Sequence, residues 1–498
     1  MTDNKYPIDD ITWNDLDLDI FFRNFDKTCS RNGGEYLYDM LRRPLISGEG
    51  IEELKERGRV SELFRKDKDL RDRYIKALSG DEEFKNDRFR TRLEGLFEAE
   101  TDPDILHFLS LFAGVISLAF IFIYPPAGFV LFIIAAIFNV FSYFKRKNEI
   151  DCHIPLIRYL LREIREVRRL AVIDTPGLSE YRERLINAVT ALKSLENGVF
   201  LILSGKNLTG GIMELPLDFI RIFLHPDLIK YNSIIRLVKK EKAAVKELFD
   251  VTGFLDSMIS LSYFRDSLPY FTEPEFNEGR GITITKGYHP LLDNPVPYDI
   301  RDVSHMLLTG SNASGKSTFL KSAALNLILA ETVYTVPAES MSTEPVEIFS
   351  SMSLRDNITE GDSLYVTEIK SVKRIVERKK AGVRIAVFLD EVLKGTNTVE
   401  RIASLSVLLK NFSDCALCFA ATHDTPLTEI LQDIYDNYHF DEKVTEEGIS
   451  FPYELKKGRS DSKDAIMLLS VMGFDKEITG EAFRLSDSFL KEGVWEKL

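Results

Sequence analysis

Gly310-Ser-Asn-Ala-Ser-Gly-Lys-Ser-Thr318 is the stretch on which the fold turns. It fits the pattern G-x-x-x-x-G-K-[ST] at every defined position. An apolar run, Met306-Leu-Leu-Thr309, precedes it, and a helical pattern from Phe319 to Ala330 follows. Strand, glycine-rich turn and helix in that order predict a loop whose backbone N–H groups curl around phosphates. The first turn of the helix adds positive potential. Gly310, Ser311, Asn312, Ala313, Ser314, Gly315, Lys316, Ser317 and Thr318 then form the cradle. Lys316 is expected to reach the β- and γ-phosphates, and Ser317 to offer its hydroxyl to Mg²⁺, so the expected ligands are ATP and Mg²⁺.

A partner motif lies further on. Ile385-Ala-Val-Phe-Leu389 reads as a buried strand that delivers Asp390 and Glu391 at its end. Asp390 is placed to hold the metal shell, and Glu391 to polarise an attacking water. His423 closes a second apolar run, Phe419-Ala-Ala-Thr-His423. It is expected to contact the γ-phosphate or the water; the plain alternative is a polar residue at a sheet edge. Strand patterns at Ile282–Thr285, Met306–Thr309, Ile385–Leu389 and Ala416–Ala421 alternate with helical ones at Phe319–Ala330 and Val399–Lys410. That alternation predicts an α/β domain over 279–498, with a largely parallel sheet and a helical tail.

Upstream the character differs. Phe21–Met40, Ile51–Ser79, 154–200 and 212–268 carry apolar residues at helical spacing, as in Tyr231–Phe249. We expect an all-α part over 1–104 and 145–278, interrupted at 105–144. Ile105–Phe144 is 40 residues without Asp, Glu, Lys or Arg. Pro125-Pro126 divides it into Ile105–Tyr124 and Ala127–Phe144, of 20 and 18 residues. Each half approaches the ~20 residues that cross a bilayer core. Phe112, Phe120, Phe122, Phe129, Phe132, Phe138 and Phe141 would lie all round the two helices, whereas a soluble surface helix keeps a polar stripe. Two spans and a tight turn make a transmembrane hairpin. Lys145-Arg-Lys147 and Arg158, Arg162, Arg165, Arg168 and Arg169 follow it, which puts both flanks on the cytoplasmic side of an inner, cytoplasmic membrane. That arginine-rich helix would be solvated, rest on anionic lipid, or face DNA.

Bulk composition sets limits. At about 100–200 residues per domain, 498 residues make two to four domains. The net charge of −14 and pI of 5.2 argue against whole-surface binding of nucleic acid. Four cysteines, Cys29, Cys152, Cys415 and Cys418, are too few for a disulfide framework, and the Cys415/Cys418 pair sits in an apolar run that reads as a buried strand. The N-terminus has no apolar segment of the kind a cleaved signal peptide needs.

Taken together, the motifs resemble those of the MutS-related ATPases. The resemblance rests on Thr309–Thr318, on Leu389-Asp-Glu-Val-Leu-Lys-Gly-Thr-Asn397, on Ala421-Thr-His423 and on Tyr288-His-Pro-Leu291. In the helical part, Leu18–Gly34 and Leu41-Arg-Arg-Pro-Leu45 resemble the start of the family's helical core. Ile358-Thr-Glu-Gly-Asp-Ser363 resembles its signature loop. The resemblance implies that His289 contributes to nucleotide binding and that Ser363 reaches the ATP of a neighbouring subunit in a head-to-tail homodimer. It also marks departures. A mismatch-reading domain and a connector are not expected, because the core begins near residue 15. Val296 and Pro297 stand where the family often places an aromatic against adenine.

The resulting expectation is a membrane-anchored MutS-like ATPase that couples ATP turnover in a dimer to its helical domain, and to an unidentified protein partner. Two other functions fit parts of the sequence. A mismatch-repair protein would bind DNA in an ATP-dependent way. An ABC-type transporter ATPase would need more than two spans per chain, and Glu360-Gly-Asp-Ser-Leu364 is not its L-S-G-G-Q signature.

Overall fold

The structure is a computed structural model and describes residues 7–79, 89–101, 104–199, 202, 225–277, 281–311, 314–352, 364–445, 448–459, 466, 469 and 472–497. It divides into two compact units, one of Met1–Asp26, Tyr38–Glu62 and Leu261–Leu498, the other of Lys27–Leu37 and Leu63–Ser260. These units do not follow the boundaries at 104, 144 and 278 that the sequence suggests.

The described helices up to residue 267 are α1 (Asp10–Asp15), α2 (Leu18–Phe25), α3 (Arg31–Leu41), α4 (Gly48–Lys66), α5 (Lys68–Leu78), α6 (Phe89–Glu98), α7 (Asp104–Ile123), α8 (Pro125–Asp151), α9 (Ile154–Ala171), α10 (Ser179–Ala191), α11 (Pro226–Lys240) and α12 (Lys242–Ser267). Strands β1 (Glu275–Phe276), β2 (Ile282–Gly287), β3 (Tyr298–Val303) and β4 (His305–Thr309) come next. Then follow α13 (Lys316–Val333), β5 (Ser340–Thr343), β6 (Glu347–Ser351), α14 (Leu364–Lys380), β7 (Ile385–Asp390), α15 (Thr398–Phe412), β8 (Leu417–Ala421), α16 (Pro426–Ile430) and β9 (Asp436–Phe440). Strands β10 (Lys443–Thr445), β11 (Gly448–Ser450) and β12 (Leu455–Lys457) precede α17 (Lys476–Glu492).

The main sheet has the order β12-β9-β4-β8-β7-β6. Its five strands from β9 to β6 are parallel, and β12 adds an antiparallel edge. Every residue of β7 and β8 is buried, as expected of parallel strands covered on both faces. Cys415 and Cys418 lie in this core as free, buried thiols. A second sheet, β1-β5-β2-β3, is mixed.

Helix α1 belongs to this unit because it seals the β6 edge. Thr12 Oγ1 accepts from Ser350 N at 3.2 Å, and Asp15 Oδ2 accepts from Ser350 Oγ at 2.7 Å and Met352 N at 3.0 Å. An edge strand needs such partners for its backbone.

In the helical unit several expected long helices are broken by polar side chains. The Phe21–Met40 pattern splits at Asp26–Ser30. There Asp256 accepts from Cys29 N at 2.8 Å, Ser30 N at 2.7 Å and Ser30 Oγ at 2.6 Å. Ile51–Ser79 splits at Asp67, which caps α5 by accepting from Leu70 N at 2.9 Å. Tyr231–Phe249 ends one helix and starts another around Glu241. Much of the expected 212–268 helix, its part up to residue 224, lies outside the described residues.

Helices α7 and α8 form an antiparallel pair, joined at Tyr124 alone. The two prolines expected to make the turn instead occupy the first positions of α8, where a missing N–H costs nothing. Gly128 lets the two backbones approach, since a Cβ there would sit 2.4 Å from Ile121 N. Phe122 and Phe141 are 87% and 69% exposed, and Phe112, Phe129 and Phe138 also face outward. The buried side chains of the pair include polar Ser117 and Asn139. Pro125–Lys147 is one helix long and apolar enough to cross a membrane, and Phe112–Ile123 is a shorter apolar stretch.

Candidate functional site

Strand β4 is central in its sheet, and the loop leaving it is built on two glycines. Gly310 (φ +144°) and Gly315 (φ +108°) occupy backbone conformations that L side chains rarely adopt. A Cβ on Gly310 would meet Phe440 O at 2.8 Å. Gly315 is the N-cap of α13, so the helix begins at Lys316 and its first N–H groups open toward the loop. Asn312 and Ala313, expected in the cradle, lie outside the described residues, as does Ser363 with the whole signature loop.

The register of the sheet brings the other site residues to the same edge. Leu308 and Asp390 both pair with Ala421, so Thr309, Glu391 and Thr422 stand at one level on three adjacent parallel strands, with Gly310 one residue beyond. Ligands of open α/β sheets bind at this carboxyl edge. Glu391 N donates to Ala421 O at 3.0 Å and holds its residue at φ +50°. Such a conformation costs a non-glycine residue about 1–3 kcal/mol and is typical of functional positions.

Lys316 Nζ donates to Gly310 O at 2.8 Å and Ser311 O at 2.7 Å, and stands 3.8 Å from Glu391 Oε1. Burial lowers its ammonium pKa, and the carboxylates of Glu391 and Asp390 work in the opposite direction. Glu391 is paired with both His423 and Lys394. Burial pushes its carboxyl up, but the hydrogen bonds from His423 and Lys394 outweigh this and hold it at about 2. The sequence-predicted Lys316, Glu391 and His423 are thus brought into one chain of contacts.

Asp390 is hydrogen-bonded to Ser317 and is held above the usual carboxylate range by burial, with the charge of Glu391 adding to it. Its Oδ1 is buried without a hydrogen-bond partner, and so is Ser314 Oγ. A buried carboxylate oxygen left over beside a serine hydroxyl fits a hard divalent cation such as Mg²⁺, which prefers oxygen ligands.

Next to this cluster opens a cleft of about 440 Å³. Ser311, Gly315, Lys316, Ser317, Thr318 and Glu391 line it together with His289, Val296, Tyr298, Phe319, Phe440 and Tyr453. His289 is among the residues that line the cleft. Burial, with the nearby Lys321 charge, lowers its pKa to about 4, so its imidazole is neutral at pH 7.

Sequence reasoning missed four participants. Tyr453, with φ +55°, stands against Gly315: a Cβ on that glycine would be 3.0 Å from Tyr453 Cδ1. Its side chain lines the cleft, as do those of Tyr298, Phe319 and Phe440. Lys394 lies inside the Asp390–Asn397 block, whose resemblance could have flagged it. Arg401 clamps Asp424 through two 2.7 Å hydrogen bonds, one residue beyond His423. Glu442 accepts from Ser311 Oγ at 2.7 Å. The last two contacts carry no sequence signal, because their partners are 23 and 131 residues apart.

Comparison with known proteins gives the same picture. Residues 306–489 match the family described as MutS domain V. The DNA mismatch repair protein MutS of Aquifex pyrophilus is 30% identical over 280 residues, which is 54% of this chain and 32% of that protein. MutS of Pseudothermotoga lettingae is 31% identical over 52% of this chain and 33% of its own length. The DNA mismatch repair protein MSH3 of Saccharomyces cerevisiae is 29% identical over 54% of this chain and 28% of its own. The chain spans about a third of the length of these relatives.

Proposed function

With a MutS domain V at residues 306–489, the chain is a member of the MutS-related proteins, and we propose that it is a Mg²⁺-dependent ATPase anchored in a membrane. The observation that carries the ATPase reading is the contact chain Lys316–Glu391–His423 beside Asp390 and Ser317. Lys316 sits where its charge can leave the loop carbonyls for a phosphate. Ser317 and Asp390 would hold the metal, which when bound neutralises charge between the phosphates.

Glu391 receives a contact from the Lys394 ammonium and another from the His423 ring, and is a weak base in this state. It can orient a water but not draw a proton from it. Losing the contact from Lys394 or His423 would raise its basicity, so phosphate binding that recruits either side chain would switch the base on. His423 is half-exposed and can turn from Glu391 toward a γ-phosphate.

The anchoring reading rests on the exposed apolar surface of α7 and α8, too large for a soluble monomer. The hairpin would span the inner membrane, with both units cytoplasmic. The chain would pair as a homodimer in which Ser363 of one chain completes the other's site. ATP binding would lock the pair and hydrolysis release it, and the helical unit would pass that cycle to a membrane or cytoplasmic protein.

The test combines two measurements on the full chain. ATP turnover should be lost in Lys316→Ala. Membrane association should resist carbonate and disappear on deleting residues 105–144. Turnover that survives Lys316→Ala removes the assignment of ATP hydrolysis to this site; a chain that carbonate extracts removes the anchor.

A second reading is favoured by the relatives' names, which are those of DNA mismatch repair proteins. Preferential binding of heteroduplex over homoduplex DNA would establish it. The net charge of −14 speaks against whole-surface DNA binding, and the apolar hairpin speaks for the membrane.

A further inference from the structure

The helical unit holds a groove of its own, of about 260 Å³. Its rim is cationic and hydroxylic: Lys230, Arg236 and Lys240 with Ser194 and Ser233. Its floor is Leu195, Ile234 and Leu237. Lys230, Ser233, Leu237 and Lys240 recur at three-to-four spacing, so one face of α11 carries them. No described lining residue is acidic. The nearest carboxylates in the sequence are engaged: Glu196 accepts from Arg168 at 2.6 Å, and Glu241 pairs with Lys240 at 3.3 Å. Lys230 is half-buried, and burial lowers its ammonium pKa. One partly desolvated lysine and two exposed cations, Arg236 and Lys240, beside apolar side chains favour an anion with an apolar attachment.

Helix α11 is also tied to the base of the hairpin. Asp227, in its first turn, accepts from Tyr143 Oη at 2.8 Å and pairs with Lys147 at 3.4 Å, both on α8. At 1.5 Å per residue the groove runs from roughly 5 to 20 Å along α11 from that junction. Resting on the membrane-anchored reading, we propose that this groove binds a phosphate group, that of an anionic phospholipid headgroup at the membrane surface. The cations would take the phosphate oxygens, the serines would donate to them, and the apolar floor would meet the glycerol end of the lipid. Free phosphate shares the headgroup's chemistry, so the source is a matter for experiment.

The experiment uses the full chain in nanodiscs and reads acetylation of lysines by mass spectrometry. Nanodiscs of phosphatidylcholine alone, of phosphatidylcholine with phosphatidylglycerol, and of phosphatidylcholine with added inorganic phosphate form three arms. Lys239, on α11 but outside the groove, is the internal control. The expected result is several-fold slower acetylation of Lys230 and Lys240 with phosphatidylglycerol, unchanged Lys239, and loss of protection at Lys240 in Lys230→Gln. Equal protection by inorganic phosphate in neutral nanodiscs supports the phosphate site and overturns the lipid source. Protection in neither arm overturns the proposal. A chain that does not enter nanodiscs fails the anchoring reading instead, and the inorganic phosphate arm, run in solution, then decides the groove by itself.

Discussion

At the residue scale, the site depends on how Glu391 is held. Its backbone sits at φ +50° and its carboxylate is shared by His423 and Lys394. Glu391→Gln keeps shape and loses the charge. We expect ATP turnover, measured as phosphate release, to fall by about 10²–10⁴-fold, the usual worth of a positioned acid–base group. Retention of labelled ATP on the protein should persist. An unchanged turnover would assign the water to another group. The acid limb of kcat/KM, which reports the ATP-free protein, should not follow Glu391, whose carboxyl stays ionised down to about pH 2 in that state. Glu391 and Lys316 were legible because glycine spacing and an apolar run ending in Asp-Glu are local features. Tyr453 was not, since its ring reaches Gly315 only through the pairing of β12 with β9.

At the element scale, two buried carboxylates organise the helical unit. Asp256 on α12 satisfies the backbone between α2 and α3 with three hydrogen bonds. Asp256→Ala leaves two N–H groups unpaired, each costing about 1–3 kcal/mol. A fall in the urea midpoint of the full chain in detergent checks this, and a fall equivalent to less than the cost of one such group would contradict it. Glu163 on α9 is buried, accepts from Thr252 Oγ1 at 3.2 Å and lies beside Glu166. Burial, then the Glu166 charge, pushes its carboxyl well above 4.5. The folded state therefore keeps a proton that the unfolded chain loses. Stability falls as pH rises from about 4.5 to the raised folded value, then levels. Glu163→Gln carries the hydrogen permanently and should flatten this limb in thermal melts between pH 5 and 8. The helices were expected from period alone, but their breaks at Asp26–Ser30 and Asp67 were not. A polar side chain that caps or grips a turn competes locally with the helix.

At the scale of the whole molecule, the proposed composite site predicts assembly. ATP with Glu391→Gln should double the protein mass, corrected for detergent, in light scattering, and Ser363→Ala should lower wild-type turnover. A mass that stays that of one chain with ATP would separate catalysis from pairing. The sequence by itself determined the phosphate loop, the carboxylate pair, the α/β alternation and the apolar stretch Ile105–Phe144, because each is written in neighbouring residues whose spacing matches a loop, a strand or a helix. The tertiary structure alone decided that α1 closes the β6 edge, that His423 and Lys394 meet on Glu391, and that Tyr453 faces the cleft. It also showed that the cations of α11 surround a groove. Those contacts join residues far apart in the chain, and only burial and strand register bring them within bonding distance.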